Sequence, residues 1–345
     1  MKAVKSILKK GLSLLAASLM VISCGRDATE QIKIRSLDVE APEKVRVGEN
    51  FTVRILEEAE MDSLTVSGVK PLQTSEDGRT YTFAFDYTGA QKIQFEGFRG
   101  EKKWQKTIRV TVLPAQNPLR LDYEIIQTLN HPGDSYTQGL EFADGYLYES
   151  KGQYGTSGVR KMDFPAMTVN HEISLNSEYF GEGLTLMNDT VFQLTWRERT
   201  CFLYNKDLKG KGVMPLPLAE GWGICNDGKA LYISDGSQRL YRFNSRLKLL
   251  DSREVYLGQR PLNRLNELEF VSDKVYANVY QSDQIFRIDY KSGVADAMLD
   301  LSELRGKLTN PRAEVLNGIA YLPERNLFLV TGKYWDKAFL IAIKD

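Results

Sequence analysis

The sequence predicts an all-β protein of two domains, on three observations. The chain has 345 residues, which is long for one ordinary domain and comfortable for two. Its first part contains short runs in which apolar and polar residues alternate, the pattern of half-buried strands. Its second part repeats at intervals of 40 to 51 residues, which is typical of a β-propeller.

The N-terminus differs in composition from the rest of the chain. A basic stretch, "MKAVKSILKK", precedes the apolar "GLSLLAASLMVIS", which predicts a secretory signal too short to be an ordinary spanning helix. The core ends in "VISC", which resembles the lipobox of bacterial lipoproteins. We therefore expect residues 1–24 to be a lipoprotein signal peptide and Cys24 to be lipidated. The anchored protein would lie in the bacterial cell envelope, periplasmic or surface-exposed. A plain secretory signal is the alternative.

Residues 25–32 are polar and predict a tether. From 33 to 114 the runs "FTVRI", "TFAF" and "TIRVTV" alternate with period two. Six or seven such strands in this length fit a small antiparallel sandwich of immunoglobulin type. The stretch "LPAQNPLRL" reads as a linker into the second domain, and the first domain carries no recognisable chemistry.

The second domain, from 120 to 345, has room for five propeller blades. Each repeat opens with a polar or large residue before an apolar strand and a turn, and the spacings between the openings are 44, 40, 44 and 51 residues. The inner strand of each blade lines the central channel, so these openings are expected to form a ring at one rim. Glycine follows four of the five, which favours close backbone approach near the axis. The ring positions are Gln138, Glu182, Trp222, Asn266 and Asn317.

Composition limits the possible partners and metals. Lys plus Arg and Asp plus Glu both number 45, so the net charge gives no support to nucleic-acid binding. The two histidines, His131 and His171, show no zinc-ligand spacing, and a conventional zinc site is not expected. Cys201 and Cys225 either pair or are two small buried hydrophobic residues. A closed propeller leaves no sheet edge that needs a partner, and we expect a monomer.

The motifs of the second domain resemble those of one enzyme family. "SYTQGLEF", "YFGEGLTL", "FQLTW", "LNELE", "YANVY", "LNGIAY" and "VTGKYW" are similar to motifs of the plant-type glutaminyl cyclases, or glutamine cyclotransferases. The resemblance covers about 130 to 343. It implies a five-bladed propeller that cyclises the N-terminal glutamine of peptides or proteins to pyroglutamate and releases ammonia. It implies no redox cofactor, nucleotide or catalytic metal, although a structural cation in the channel is compatible with it.

The resemblance assigns the catalytic roles to Glu182, Lys333 and Asn266. Glu182 matches the family's catalytic glutamate, and one carboxylate can carry a proton from the α-amine to the leaving nitrogen. Desolvation by neighbouring aromatic side chains would raise its pKa. Lys333 and Asn266 match polar partners that could stabilise the oxyanion.

Six further residues are expected to bind substrate. Gln138 matches a position that could hold the carbonyl after the glutaminyl residue. An aromatic wall is expected from Phe180, Trp196 and Trp222. Family members often carry Phe at the position of Tyr136 and Trp at that of Tyr280, so the two hydroxyls would tune affinity or preference.

Two other functions fit the same fold. A lipid-anchored propeller could be a non-catalytic module that binds glycans or partner proteins, because propellers serve many functions. A metal-dependent lactonase would need clustered carboxylate ligands for Ca²⁺. The ring offers only Glu182, with Glu267 next to another ring position.

Overall fold

The computed structural model describes residues 34–58 and 60–344. The predicted signal peptide with Cys24 and the predicted tether lie outside the described residues. Within them, 31 strands and one 3₁₀ helix are present, which confirms the all-β class. None of the described helices is long and apolar enough to cross a membrane.

The N-terminal part forms two sheets from nine strands. Their bounds are β1 (Ile34–Ser36), β2 (Val39–Glu40), β3 (Lys44–Arg46), β4 (Phe51–Ile55), β5 (Ser63–Ser67), β6 (Gln73–Thr74), β7 (Thr80–Phe83), β8 (Gly89–Arg99) and β9 (Lys102–Leu113). One sheet has the order β1-β9-β8-β5, with β3 also pairing with β9, and the other has the order β2-β4-β7-β6. Strands β1 and β3 run parallel to β9, and the other pairs are antiparallel.

The two sheets share one apolar core. Along Phe51–Ile55 every second residue is buried and the two between them are exposed, as the alternation predicts. Val53 and Phe83 of one sheet pack in the same core as Phe95 and Val110 of the other. The N-terminal part is thus a β-sandwich, and its immunoglobulin type stays a prediction.

The second part is a five-bladed propeller of four-stranded blades, and this prediction is confirmed. Its first strand in sequence, β10 (Leu119–Asn130), comes before blade 1 and belongs to blade 5. Blade 1 contains β11 (Thr137–Ala143), β12 (Tyr146–Lys151), β13 (Gly158–Asp163) and β14 (Thr168–Ser174). Blade 2 contains β15 (Gly181–Met187), β16 (Thr190–Thr195), β17 (Thr200–Tyr204) and β18 (Gly210–Pro215).

The remaining three blades follow the same plan. Blade 3 contains β19 (Ile224–Asn226), β20 (Leu231–Ser234), β21 (Arg239–Phe243) and β22 (Leu249–Glu254). A hairpin of β23 (Tyr256–Leu257) and β24 (Arg260–Pro261) leads to blade 4, which contains β25 (Leu265–Val271), β26 (Lys274–Val279), β27 (Gln284–Asp289) and β28 (Val294–Asp300). The 3₁₀ helix (Ser302–Lys307) precedes blade 5, which contains β29 (Leu316–Leu322), β30 (Leu327–Gly332), β31 (Lys337–Lys344) and β10.

Strand β10 closes the propeller ring. It pairs antiparallel with β31, the last strand of the chain, and so completes blade 5 from both ends of the domain. Its first residues, Leu119 to Leu121, also pair with Ala297 to Leu299 of blade 4. The predicted linker "LPAQNPLRL" therefore ends in strand, because its last three residues extend the sheet of blade 4.

The sandwich contacts the outer strand of blade 3 and the turn before the outer strand of blade 4. Thr88, just before β8, donates its backbone N–H to Ser292 at 2.8 Å, and Glu254 accepts a hydrogen bond from the backbone N–H of Ala90 at 3.1 Å. The guanidinium of Arg253 lies 4.5 Å from the ring centroid of Tyr87. The channel, by contrast, is lined by the inner strands.

One buried carboxylate connects three blades across the channel. Glu267 of blade 4 is 1% exposed. It accepts the backbone N–H of Leu140 in blade 1 at 3.2 Å and that of Ile319 in blade 5 at 2.9 Å. Burial raises its pKa well above the ordinary range, against the lowering effect of the two backbone hydrogen bonds. The Glu267 carboxylate thus has a structural role, because it holds blades 1, 4 and 5 together.

We expect Glu267→Ala to lower the thermal midpoint substantially. The substitution leaves two buried backbone N–H groups without acceptors, at a cost of about 1–3 kcal/mol each. Differential scanning fluorimetry measures the shift, and the exposed Glu178→Ala is the matched control. Equal midpoints for the two variants would contradict this role.

The two described cysteines are separate. Cys201 and Cys225 are both buried and both free. Burial raises the pKa of the Cys201 thiol to about 12 and that of the Cys225 thiol well above its ordinary value, so both thiols stay protonated. They are small buried residues, one of the two alternatives that the sequence left open.

Candidate active site

The ring side chains are turned into the channel by irregularities in the inner strands. The pairing of each inner strand with the next one shifts register at the ring position in blades 1, 2, 4 and 5. A β-bulge of this kind leaves a residue out of the ladder and re-aims its side chain. In blade 3 the inner strand begins only at Ile224, after the ring position. The four bulged positions are Gln138, Glu182, Asn266 and Asn317.

Glycines beside the ring allow the blades to approach closely. A Cβ atom on Gly183 would lie 2.7 Å from the backbone oxygen of Trp222, and that oxygen accepts the N–H of Gly183 at 2.7 Å. A Cβ atom on Gly223 would clash with the backbone oxygen of Asn266. The predicted close approach near the axis is confirmed at these positions.

A cavity of about 200 Å³ opens at this rim. Typical pockets for drug-sized ligands have ~300–1,000 Å³, so this cavity suits a single amino-acid residue. All nine residues predicted to act in catalysis or substrate binding line it, together with one that was not predicted, Gln153. The full lining is Tyr136, Gln138, Gln153, Phe180, Glu182, Trp196, Trp222, Asn266, Tyr280 and Lys333.

Asn317 holds a cavity residue without lining the cavity. Its side-chain N–H₂ donates to the backbone oxygen of Thr137 at 2.9 Å and to Oε1 of Gln138 at 3.2 Å. The ring of five is thus a ring of four around the cavity plus one support. Because Oε1 of Gln138 is engaged, its N–H₂ is the end that can donate to a ligand.

Glu182 is a buried carboxylate with unused hydrogen-bonding capacity. It is 4% exposed, and its Oε2 has no hydrogen-bond partner among the described residues. Burial raises its pKa well above the ordinary range. The charge of Lys333 opposes this rise, and those of Glu220 and Glu198 add to it. Such a carboxyl group is better suited to accept and return a proton than one of ordinary pKa.

Lys333 places an ammonium group in the same cavity. The residue is 2% exposed, and its Nζ lies 4.4 Å from the ring centroid of Tyr136 and 5.1 Å from that of Tyr280. Burial lowers its pKa to about 8, while the charges of Glu182 and Glu314 act in the opposite direction. The ring faces stabilise the cation without consuming its N–H donors.

Asn266 adds a second polar group with free capacity. It is 1% exposed, and its Oδ1 has no partner among the residues that the structure describes. Its backbone oxygen accepts the hydroxyl of Ser234 at 2.7 Å, which fixes the main chain. The unpaired atom is an acceptor and is available to an N–H group of a ligand, whereas a hydrogen bond to an oxyanion has to come from the N–H₂ end of the amide.

Aromatic rings enclose these polar groups. Phe180 contacts Trp196 and Tyr136 edge to face, at centroid distances of 5.6 and 6.1 Å. Trp222 contacts Tyr280 in the same manner at 5.7 Å. This geometry is favourable for aromatic pairs, and the rings exclude water from the carboxylate and the ammonium.

Gln153 is the cavity residue that sequence reasoning missed. It follows β12 and has a φ of +83°, the left-handed region that favours glycine. A Cβ atom on the preceding Gly152 would lie 2.7 Å from Phe180 and 2.9 Å from Gln138. Within "KGQYG", Gly152 leaves room for the side chains of Phe180 and Gln138, and this glycine was the sequence feature that could have indicated the turn. The turn holds Gln153 at the wall of the cavity.

No cluster of three or more His, Cys, Asp or Glu side chains with metal-binding geometry occurs within residues 34–58 and 60–344.

A family model and relatives from two organisms match this chain. A model of the glutamine cyclotransferase family matches residues 101–343. The glutaminyl-peptide cyclotransferase of Arabidopsis thaliana is 39% identical over 230 residues, which cover 65% of this chain and 72% of the plant protein. The crystal structure of Myxococcus xanthus glutaminyl cyclase superposes with a TM-score of 0.61 at 30% identity, and covers 66% of this chain and 99% of that one.

Proposed function

The chain belongs to the glutamine cyclotransferase family, and from this premise we propose how its cavity cyclises an N-terminal glutaminyl residue. The protein is a glutaminyl-peptide cyclotransferase that converts N-terminal glutamine of peptides to pyroglutamate and releases ammonia. The observation that carries the proposed course is the cavity itself. It brings together a carboxylate of raised pKa, Glu182, an ammonium group, Lys333, and the side-chain amide of Asn266.

The substrate enters with its first residue in the cavity. The N–H₂ of Gln138 donates to the carbonyl that follows the glutaminyl residue, since its own oxygen is held by Asn317. The aromatic wall packs on the methylene groups of the glutamine side chain. The α-amine then lies against Glu182, and the γ-carbonyl points to Lys333 and Asn266.

Ring closure forms one bond and breaks another. The neutral α-amine attacks the γ-carbonyl carbon, and the new C–N bond forms as the carbonyl becomes an oxyanion. The Lys333 ammonium and the N–H₂ group of Asn266 donate hydrogen bonds to that oxyanion. Glu182 takes one proton from the attacking nitrogen and delivers it to the amide nitrogen. The bond from the carbonyl carbon to that nitrogen breaks, and ammonia leaves.

The assay that tests the proposed course uses a short peptide with N-terminal glutamine. Ammonia release and the matching loss of peptide mass are followed together, and the same peptide with an acetylated N-terminus is the control, because its nitrogen cannot attack. Every group in the proposed course is a protein side chain, so we expect a metal chelator to leave the rate unchanged. Absence of cyclisation by folded protein would overturn the function.

We also propose that the protein is a lipid-anchored component of the bacterial cell envelope. The proposal is supported by the basic and apolar N-terminal segments and by "VISC" before residue 25. We expect fatty-acid label and membrane fractionation in the wild type and loss of both in Cys24→Ala. Equal labelling of the two proteins would contradict the anchor and favour a plain secretory signal.

A further inference from the structure

Glu220 does not line the cavity, but it contacts two tryptophans that do. Its Oε2 accepts the indole N–H of Trp196 at 2.9 Å and that of Trp222 at 3.0 Å. Its Oε1 accepts the Nε–H of Arg197 at 3.0 Å. The Oε2 atom of Glu220 therefore accepts a hydrogen bond from each of the two tryptophans that line the cavity.

The two tryptophans belong to different blades. Trp196 follows β16 of blade 2, Trp222 precedes β19 of blade 3, and Glu220 lies in the connection between these blades. The main chain here has its own hydrogen bonds, from Gly221 to the oxygen of Trp196 at 2.9 Å and from Trp222 to Ser234 at 3.0 Å. The carboxylate thus sets the orientation of the rings, and the path of the loop does not depend on it.

An indole N–H can only donate, and the half-buried Trp196 and Trp222 both find their acceptor in Glu220. On their other sides Trp196 contacts Phe180 at 5.6 Å and Trp222 contacts Tyr280 at 5.7 Å between centroids. Each indole is thus held at two points, one apolar and one polar. Removal of the Glu220 carboxylate therefore removes the hydrogen bond that holds each indole ring.

We propose that Glu220 is a positioning residue for the reaction, whose carboxylate fixes Trp196 and Trp222 as the substrate-facing walls of the cavity. The inference rests on the proposed function. It adds a residue that touches neither the substrate nor the reacting atoms. It also predicts that both walls respond to one substitution outside the cavity lining.

The charge of Glu220 has a second, separable effect. Burial raises its pKa, but hydrogen bonds from Trp222, Trp196 and Arg197 outweigh this, and the net pKa lies below the ordinary range. It is therefore ionised, and its charge helps to raise the pKa of Glu182. The titratable groups that face Glu182 are Lys333, Glu198, Glu220, Tyr136 and Tyr154.

Two variants separate the acceptor from the charge. Glu220→Ala removes both, and we expect the KM for an N-terminal glutaminyl peptide to rise about tenfold while kcat changes less than about threefold, the signature of lost ground-state positioning. In substrate-free protein, two of the four tryptophan indole N–H signals in a ¹H–¹⁵N spectrum should move and exchange faster. Glu220→Gln keeps a neutral acceptor, and we expect KM within about threefold of the wild type.

The pH profile provides the third measurement. Without the Glu220 charge the pKa of Glu182 falls, so the acid limb of kcat/KM should move to lower pH in Glu220→Gln. Glu198→Gln is the matched control, because Glu198 also raises the pKa of Glu182 but accepts no indole N–H. We expect it to move the limb in the same direction and to leave the indole signals unchanged.

Wild-type indole signals and KM in folded Glu220→Ala would overturn the proposal. Failure of the proposed function itself is distinguishable, because then the wild type does not cyclise the peptide, whereas the substrate-free indole signals still report whether Glu220 holds both rings.

Discussion

Glu182→Gln is expected to reduce the rate of cyclisation by about 10³-fold or more, within the ~10²–10⁴ range of general acid–base catalysis, and to leave the fold intact. The substitution keeps the shape of the side chain and removes its ability to take and return a proton. The leaving nitrogen would then depart without one. Single-turnover ammonia release with an N-terminal glutaminyl peptide measures the loss.

The same variant is expected to be more stable than the wild type at neutral pH. An unfolded glutamyl carboxyl has a pKa near 4.3, and burial raises that of folded Glu182 well above it. Below the unfolded pKa the carboxyl group is protonated in both the folded and the unfolded state, so its burial does not lower stability by this effect. As pH rises through the folded pKa, the folded state must ionise a buried group, and stability is lost. Glutamine has no such titration.

Thermal midpoints at about pH 4 and about pH 8 test this sign, because the advantage of the variant should grow with pH. The exposed Glu178→Gln is the control for an ordinary surface carboxylate. A fully active Glu182→Gln would remove Glu182 from the proton path. An inactive variant that is also unfolded would leave the role to be judged from Glu182→Asp, which keeps the carboxylate but retracts it.

The repeat made four of the ten cavity residues predictable from sequence, and the resemblance to the glutaminyl cyclases supplied five more. Gln138, Glu182, Trp222 and Asn266 occupy equivalent places in successive blades, so one register argument located all four. It could not separate Asn317, whose place in the repeat is the same. The Asn317 amide donates to Thr137 and Gln138. The spacing of the repeats does not predict which neighbour this side chain contacts.

Other features of the site depend on contacts between segments distant in sequence. The β-bulges that re-aim the ring side chains are defined by pairing with a second strand, so a single strand pattern does not reveal them. Gln153 and Glu220 lie in loops, one at a left-handed backbone position and one in the connection between blades. Glu220 accepts the indole N–H of Trp196, 24 residues earlier in the chain, and that of Trp222, two residues later.

Lys333→Met is expected to reduce kcat by about 10²–10³-fold, the usual effect of removing one oxyanion donor. Methionine retains the length and apolar contacts of the side chain and loses the ammonium group. Lys333→Arg is not expected to restore activity, because a planar guanidinium presents its donors in a different geometry. Steady-state kcat for an N-terminal glutaminyl peptide measures both variants.

The pH dependence distinguishes this role from simple cavity packing. Burial lowers the pKa of Lys333 to about 8, so the ammonium donor is present below that pH and is lost above it. The wild-type kcat should therefore fall on the basic side of about pH 8, and the residual rate of Lys333→Met should show no such limb. The Lys333 charge also lowers the pKa of Glu182, so the acid limb of the variant should move to higher pH. A variant with the wild-type basic limb would show that another group titrates there, and a wild-type kcat in Lys333→Met would show that Lys333 contributes only volume to the cavity.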